Sequence, residues 1–277
     1  MEDTEKQLER WEAAVKRLRA AGSVFAEEEA RLLVSSTPDS EELARRIERR
    51  AAGMPLEYIL GWAEFGGLRI EVDPGVFVPR QRTVFLAEQA AAWVRPGSVV
   101  LDLCCGSGAL GAVLAAGARR IELHAADIDP AAVRCARRNL RFAPGTVYEG
   151  HLFDPLPSGL RGRIDVIVAN APYVPTAAIP LLPAEARLHE ARAALDGGSD
   201  GLDVQRRIAA EAPRWLAKGG ALLMETSEKQ ASLTAALFAE AGLSPRLVRS
   251  EEWDASVIIG VQPDRGVPLP NRAAGYE

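Results

Sequence analysis

The sequence predicts an α/β protein built on a mostly parallel sheet with helices over both faces. Three observations carry that prediction. From residue 98 onward, short apolar segments alternate with helical stretches, the pattern of strand–helix–strand units. One apolar segment runs straight into a glycine loop and a helix, in SVVLDLCCGSGALGAVLA, a connection that open parallel sheets use at ligand sites. The last two strand-like segments, 244–249 and 256–261, follow each other closely enough to form an antiparallel pair that closes the sheet.

Residues 1–52 read as a small helical unit. Thr4 with Gln7 marks a capping-box start, and Leu8, Trp11, Val15 and Leu18 fall on one helical face. Gly22 ends that helix, and a second covers residues 25–34. Asp39 with Glu42 makes another capping box, opening a helix with Leu43 and Ile47 inward and a charged, solvated stretch from Glu41 to Arg50. Residues 53–80 switch to short extended stretches broken by Gly and Pro, and Asp73-Pro74-Gly75 is the expected connector of a β-hairpin. Residues 81–277 hold the alternating unit, with strands expected at 98–103, 121–126, 146–149, 163–169 and 220–225. The tail from Gln262 is expected to fray.

Composition bounds the function. With 277 residues, 48% hydrophobic and 26% charged, the chain has the makeup of a soluble globular protein. It carries no apolar run of membrane-span length and no signal-peptide core, so a cytosolic location is expected. A net charge of −5 argues against gripping a phosphate backbone. Cys104, Cys105 and Cys135 fit neither a disulfide framework nor a CxxC zinc pattern and are expected to be buried. His124, His151 and His189 share no metal-ligand spacing, so no metal is expected.

The glycine loop after Asp102 and Leu103 carries Gly106 and Gly108, which let backbone approach a ligand closely. Lacking Gly-Lys-Ser/Thr, it is not a phosphate loop, but Gly106, Gly108 and Gly111 formally satisfy a dinucleotide fingerprint. About 20 residues on, Asp127 ends a strand where a carboxylate can accept from both ribose hydroxyls, and Ile128 can lie against adenine. Asp129, before Pro130, reads as a helix cap. Adenosylmethionine and NAD both carry adenosine, so these residues leave the two open.

The segment IDVIVANAPYVP narrows the choice. An amide or aromatic amine nitrogen is a poor nucleophile, because its lone pair is delocalised into a π system. Two acceptors, the Asn170 side-chain oxygen and the Ala171 carbonyl, would hold its two N–H groups and meet charge developing on nitrogen. Alignment of nitrogen, methyl carbon and sulfur would supply the remaining acceleration. Pro172 keeps Ala171 extended and aims its carbonyl, and Tyr173 can pack on the planar group. No strong base is needed, since the proton can leave after methyl transfer.

Taken together, these segments resemble the protein-(glutamine-N5) methyltransferases that modify the Gly-Gly-Gln loop of peptide-chain release factors, the HemK/PrmC family. The matching blocks are GMPLEYILGWAEFGGLRIEVDPGVFVPRQRT, LDLCCGSGALG, AADIDPAAV, LFDPLP, NAPYVP, HEARAALDGGSDGLDVQRRI and GGALLMETSEKQ, in family order over nearly the whole chain. The resemblance implies a class I (Rossmann-like) methyltransferase fold with a seven-stranded sheet, a helical N-terminal unit that docks the protein substrate, and a β-hairpin linker. It implies S-adenosylmethionine as cofactor, held by Asp102, Cys104, Gly106, Gly108, Asp127, Ile128, His151, Leu152 and Asn170. Asn170, Ala171, Pro172 and Tyr173 would form the catalytic element, with Asn170, Tyr173 and Arg80 on the substrate. Arg80 either contacts the substrate loop or fixes the hairpin. A release factor is the implied partner, with a monomeric enzyme and no direct contact with nucleic acid or membrane.

Departures from the family pattern sit near these contacts. Ala171 stands where the family has Pro, Cys104 replaces a glycine, and His151 replaces an acid. After Pro79-Arg80, where the family has an acidic-threonine-acidic run, this chain has Gln81, Arg82, Thr83 and Val84, and Glu190-Ala191 replaces Glu-Pro. Alternative readings are methylation of another amide or amine on a small metabolite, adenine methylation in nucleic acid, or a non-catalytic binding module.

Overall fold

The computed structural model describes residues 2–118 and 120–264. The expected fraying of the tail falls, from residue 265 on, outside the described residues. Three helices open the chain, α1 (Glu2–Ala20), α2 (Ala26–Ser36) and α3 (Ser40–Ala51). Helix α1 spans Glu2–Ala20, so Thr4 lies within it and not at a capping position. Ala14, Val15 and Leu18 bury against Ala30, Leu33 and Leu43, while Leu8 stays exposed. Asp39 caps α3 by accepting from the Glu42 amide at 2.7 Å, worth about 1 kcal/mol. The reciprocal half of that box does not form, because the Glu42 carboxylate pairs with Arg45 and Arg46, each at 3.0 Å.

After the short helix α4 (Leu56–Leu60) comes an antiparallel hairpin, β1 (Trp62–Phe65) and β2 (Leu68–Glu71). Its connector is Gly66-Gly67, not Asp73-Pro74-Gly75. Gly66 (φ 55°) and Gly67 (φ 78°) are both left-handed, which a two-residue turn matched to strand twist requires. The Asp73 turn, closed by the Val76 amide at 3.1 Å, comes after the hairpin and directs the chain back toward the main sheet.

That sheet comprises β3 (Val99–Leu103), β4 (Glu122–Asp127), β5 (Gly145–Glu149), β6 (Ile164–Ala169), β7 (Leu216–Thr226), β8 (Ser244–Ser250) and β9 (Ala255–Val261). The order is β5-β4-β3-β6-β7-β9-β8, parallel except where β9 pairs with β7 and β8. Alternate residues face opposite sides. Val100, Val168 and Leu223 pack toward α5 (Val84–Ala91), α6 (Ala109–Gly117) and α7 (Pro130–Asn139). Leu101, Ile167 and Met224 pack toward α9 (Asp203–Glu211) and α10 (Ala231–Glu240). Both faces are therefore covered, as a parallel sheet demands. No helix among the described residues is long and apolar enough to cross a membrane.

In the stretch from Glu41 to Arg50, Leu43 and Ile47 pack inward and most of the charged residues face solvent, but Arg50 does not. Arg50 turns inward, bonding Glu29 at 2.7 Å and Glu185 at 2.6 Å. Glu185 belongs to α8 (Ala184–His189), so this pair ties the helical unit to the rim of the sheet's ligand crevice. The Arg50 and Glu29 side chains are only 12% and 9% exposed. Removing one partner of such a pair leaves an uncompensated buried charge. Arg50→Ala is expected to cost about 3 kcal/mol of stability. Urea unfolding measures it, and adding Glu29→Gln should recover part of the loss.

Candidate active site

Strand β3 pairs with β4 on one side and β6 on the other, with Leu103 opposite both Ala126 and Ala169. The strand order reverses there, so the carboxyl ends of β3 and β6 open onto a crevice where such sheets bind ligands. It holds a cavity of about 940 Å³. The loop after β3, the tip of β4 and the segment after β6 all reach its wall.

One half of the cavity is organised around Asp127. Its Oδ2 accepts from the Gly106 amide at 2.8 Å and its Oδ1 from the Asp129 amide at 2.9 Å. Burial raises its carboxyl above the usual range, and these backbone N–H bonds oppose the rise. Each oxygen still has lone-pair capacity for a ribose hydroxyl. The capping role falls to Asp129, which accepts from the Ala131 amide at 2.8 Å. Gly106 (φ 53°) would project a Cβ into space free of protein atoms, so backbone there opens onto the cavity. Ile128, 54% exposed, offers an apolar surface on the same wall. A carboxylate, an open glycine backbone and an apolar face together fit the adenosine end of S-adenosylmethionine. Cys104, His151 and Leu152 also line the cavity, and Arg207 holds the His151 ring at 2.8 Å.

Two expected cofactor residues lie elsewhere. Asp102 is fully buried beneath the loop, where Oδ2 accepts from the Gly111 amide at 2.8 Å and burial pushes its carboxyl up to about 8. It braces the start of α6. Gly108 (φ 78°) precedes α6, and a Cβ there would sit 3.2 Å from Ala136 and Leu140, so this glycine serves the packing of α6 on α7. Cys105 and Cys135 are buried as expected, but Cys104 is partly exposed on the cavity wall. Burial, with the nearby Asp127 and Asp102 carboxylates, pushes its thiol up. No cluster of His, Cys, Asp or Glu that could hold a metal occurs among the described residues.

The other half is the segment Asn170–Tyr173. Asn170 Nδ2 donates to Thr83 Oγ1 at 3.3 Å, which leaves Asn170 Oδ1 as an acceptor without a partner among the described residues. The Ala171 carbonyl likewise accepts no hydrogen bond among the described residues. The Tyr173 hydroxyl donates to Glu225 at 3.1 Å and accepts from Arg82 at 2.5 Å, fixing the ring by its edge. Burial, then the Glu225 charge, raises that hydroxyl above its ordinary value. The Tyr173 carbonyl accepts from Gln230 Nε2 at 3.0 Å. Arg80 is committed to Glu190, at 2.6 Å, and Glu190 also accepts from the Val78 amide at 3.1 Å. The structure thus favours Arg80 as a brace for the segment after the hairpin.

The sequence assigns no role at the site to Thr83, Glu225 or Gln230. All three lie in family blocks, yet each acts across at least 52 residues, which no local pattern encodes. Gly197 and Gly201 back the tetrapeptide. A Cβ on Gly197 would lie 2.8 Å from the Pro172 carbonyl and 2.6 Å from that of Gly201. Gly197→Ala is expected to cost about 2 kcal/mol through overpacking, read as a lower denaturant midpoint.

The Methyltransferase small domain family matches residues 68–200. A release factor glutamine methyltransferase of Geobacter sulfurreducens is 41% identical over 207 residues, covering 73% of this chain and 72% of that protein. A 4-amino-L-phenylalanine/4-methylamino-L-phenylalanine methyltransferase of Streptomyces pristinaespiralis is 36% identical, covering 71% of this chain and 69% of that protein. Among solved structures, a methyltransferase from Pyrococcus furiosus shares the fold, with a TM-score of 0.55 at 19% identity over 81% of this chain and 100% of that one. The expected fold, cofactor and resemblance are borne out. The chain belongs to the release factor glutamine methyltransferase family and is an S-adenosylmethionine-dependent enzyme.

Proposed function

We propose that this enzyme methylates the side-chain amide nitrogen (N5) of a glutamine in the Gly-Gly-Gln loop of a peptide-chain release factor. The observation that carries the reading is a pair of acceptors without partners among the described residues, Asn170 Oδ1 and the Ala171 carbonyl, on neighbouring residues of the crevice wall. A primary amide has two N–H donors, and two fixed acceptors hold both at once. They also meet the positive charge that grows as the lone pair leaves conjugation, without reorganising during the step. S-adenosylmethionine supplies an electrophilic methyl group on sulfonium. Asp127 and the Gly106 backbone hold its adenosine end, so the distance between them and Asn170 sets the approach of nitrogen to methyl. The amide proton leaves to water after transfer.

Tyr173 walls the acceptor site with its ring, its hydroxyl being occupied by Arg82 and Glu225. In this reading the helical unit of α1 to α3 docks the release factor, and a single chain acts in the cytoplasm without contacting nucleic acid. A second reading, an aromatic primary amine as acceptor, draws on the Streptomyces relative. Such a nitrogen is also conjugated and also offers two N–H groups.

Mass spectrometry of a cognate release factor incubated with enzyme and cofactor tests the first reading. One added methyl on the loop glutamine supports it. Methylation of 4-amino-L-phenylalanine with an untouched release factor would transfer support to the second. Asn170→Ala is expected to lower kcat by about 100-fold or more, with cofactor affinity by calorimetry nearly unchanged. Asp127→Ala should do the reverse and weaken cofactor binding about tenfold or more.

A further inference from the structure

We propose that Thr83 is a positioning residue for methyl transfer, the group that holds the nitrogen end of the Asn170 side chain and so keeps its oxygen end toward the acceptor nitrogen. The inference rests on the amide-acceptor reading above and adds a residue to it. A carboxamide has two chemically opposite ends of nearly equal size. Turned one way, Asn170 offers oxygen to an incoming N–H2 group; turned the other way, it offers its own N–H2, and donor meets donor. The shape of Asn does not select between them; the two N–H donors of the acceptor demand the oxygen end, and the group on the far side must then accept from the nitrogen end.

Thr83 is placed to do so. Its Oγ1 takes the Asn170 Nδ2 donor at 3.3 Å, and Thr83 is only 3% exposed, so water does not readily substitute for it. With the nitrogen end occupied, the oxygen end remains for the acceptor. The turn that carries Thr83 is itself anchored on several sides. The Thr83 amide closes onto the Arg80 carbonyl at 2.9 Å, and Gln81 Nε2 donates to the Glu64 carbonyl at 2.5 Å, tying the turn to the hairpin. Arg82, next in line, donates to the Tyr173 hydroxyl and lies 3.4 Å from Glu225. Consecutive residues of one turn therefore hold the first and last members of the tetrapeptide, from 87 and 91 positions away. Thr83 does not touch the reacting atoms; it acts through Asn170.

Thr83→Val removes the acceptor with little change of shape, and Thr83→Ser keeps it. For Thr83→Val the expected result is a kcat lower by about tenfold, the worth of one hydrogen bond. KM and cofactor Kd should stay within about twofold, and Thr83→Ser should restore kcat. An unchanged kcat in the Val variant, or an equal loss in the Ser variant, would overturn the proposal. A second readout does not depend on the acceptor's identity. The Asn170 side-chain amide, followed by ¹⁵N NMR with cofactor bound, should exchange its protons faster with water in Thr83→Val than in wild type or Thr83→Ser. Identical exchange in all three would refute the positioning role. If wild type leaves the release factor unmethylated while the Val variant alone shows faster exchange, the choice of acceptor fails and the role of Thr83 stands.

Discussion

The parallel pairing of β3 with β6, ending at Leu103 beside Ala169, sets the scale of the whole site. Methyl transfer needs two partners held a few tenths of an ångström from contact and in line. In the proposed reading one is held by the loop that leaves β3 and by the tip of β4, and the other by the segment that leaves β6. Because adjacent strands are locked by backbone hydrogen bonds, neither holder can drift relative to the other without breaking the sheet. The alternating burial of Val100 and Leu101, or Val168 and Ile167, then clamps the strands between two helical layers. Rigidity at the crevice is thus a property of the core, transmitted along the shortest covalent path.

Around the crevice, charge is placed where it ties segments together. Three arginines each reach a carboxylate with little exposure: Arg50 to Glu29, Arg80 to Glu190 and Arg82 to Glu225. The first joins the helical unit to α8, the second holds the segment after the hairpin, and the third holds Tyr173. In each pair the carboxylate is buried, and a buried carboxylate separated from its arginine is costly. That penalty suits a wall assembled from parts far apart in sequence, since it makes the assembled geometry the one without a stranded charge.

Much of this was legible in the sequence, and what was not shares a physical cause. The strand-to-glycine-loop junction, Asp127 at a strand tip and the Asn170–Tyr173 segment are local patterns, and each occupies the place its pattern implies. Errors arose where one signal serves two purposes. Asp73-Pro74-Gly75 is a turn, but Gly66-Gly67 has the two left-handed residues a tight hairpin needs. Gly108 belongs to the glycine loop, yet its missing side chain makes room for Ala136. Asp102 is the carboxyl expected of a ligand contact, yet it is fully buried and accepts from the Gly111 amide. Thr83 and Glu225 were hidden for a different reason, because only tertiary folding brings them to Asn170 and Tyr173.

The alanine at position 171 bears on how such a site tolerates change. A proline there would restrict the backbone directly, and its loss removes one restraint on the carbonyl that must face the acceptor. Here restraint comes from packing. Ala171 is 1% exposed, and Pro172 after it disfavours helical angles. Gln230 grips the Tyr173 carbonyl and Leu195 accepts from the Val174 amide at 3.0 Å. Gly197 and Gly201 press so close behind Pro172 and Tyr173 that the segment has no room to retreat. A carbonyl held by its neighbours on both sides of the chain does not need its own ring to hold it. The conformation of the segment is therefore held from outside its centre, by the glycines packed behind it.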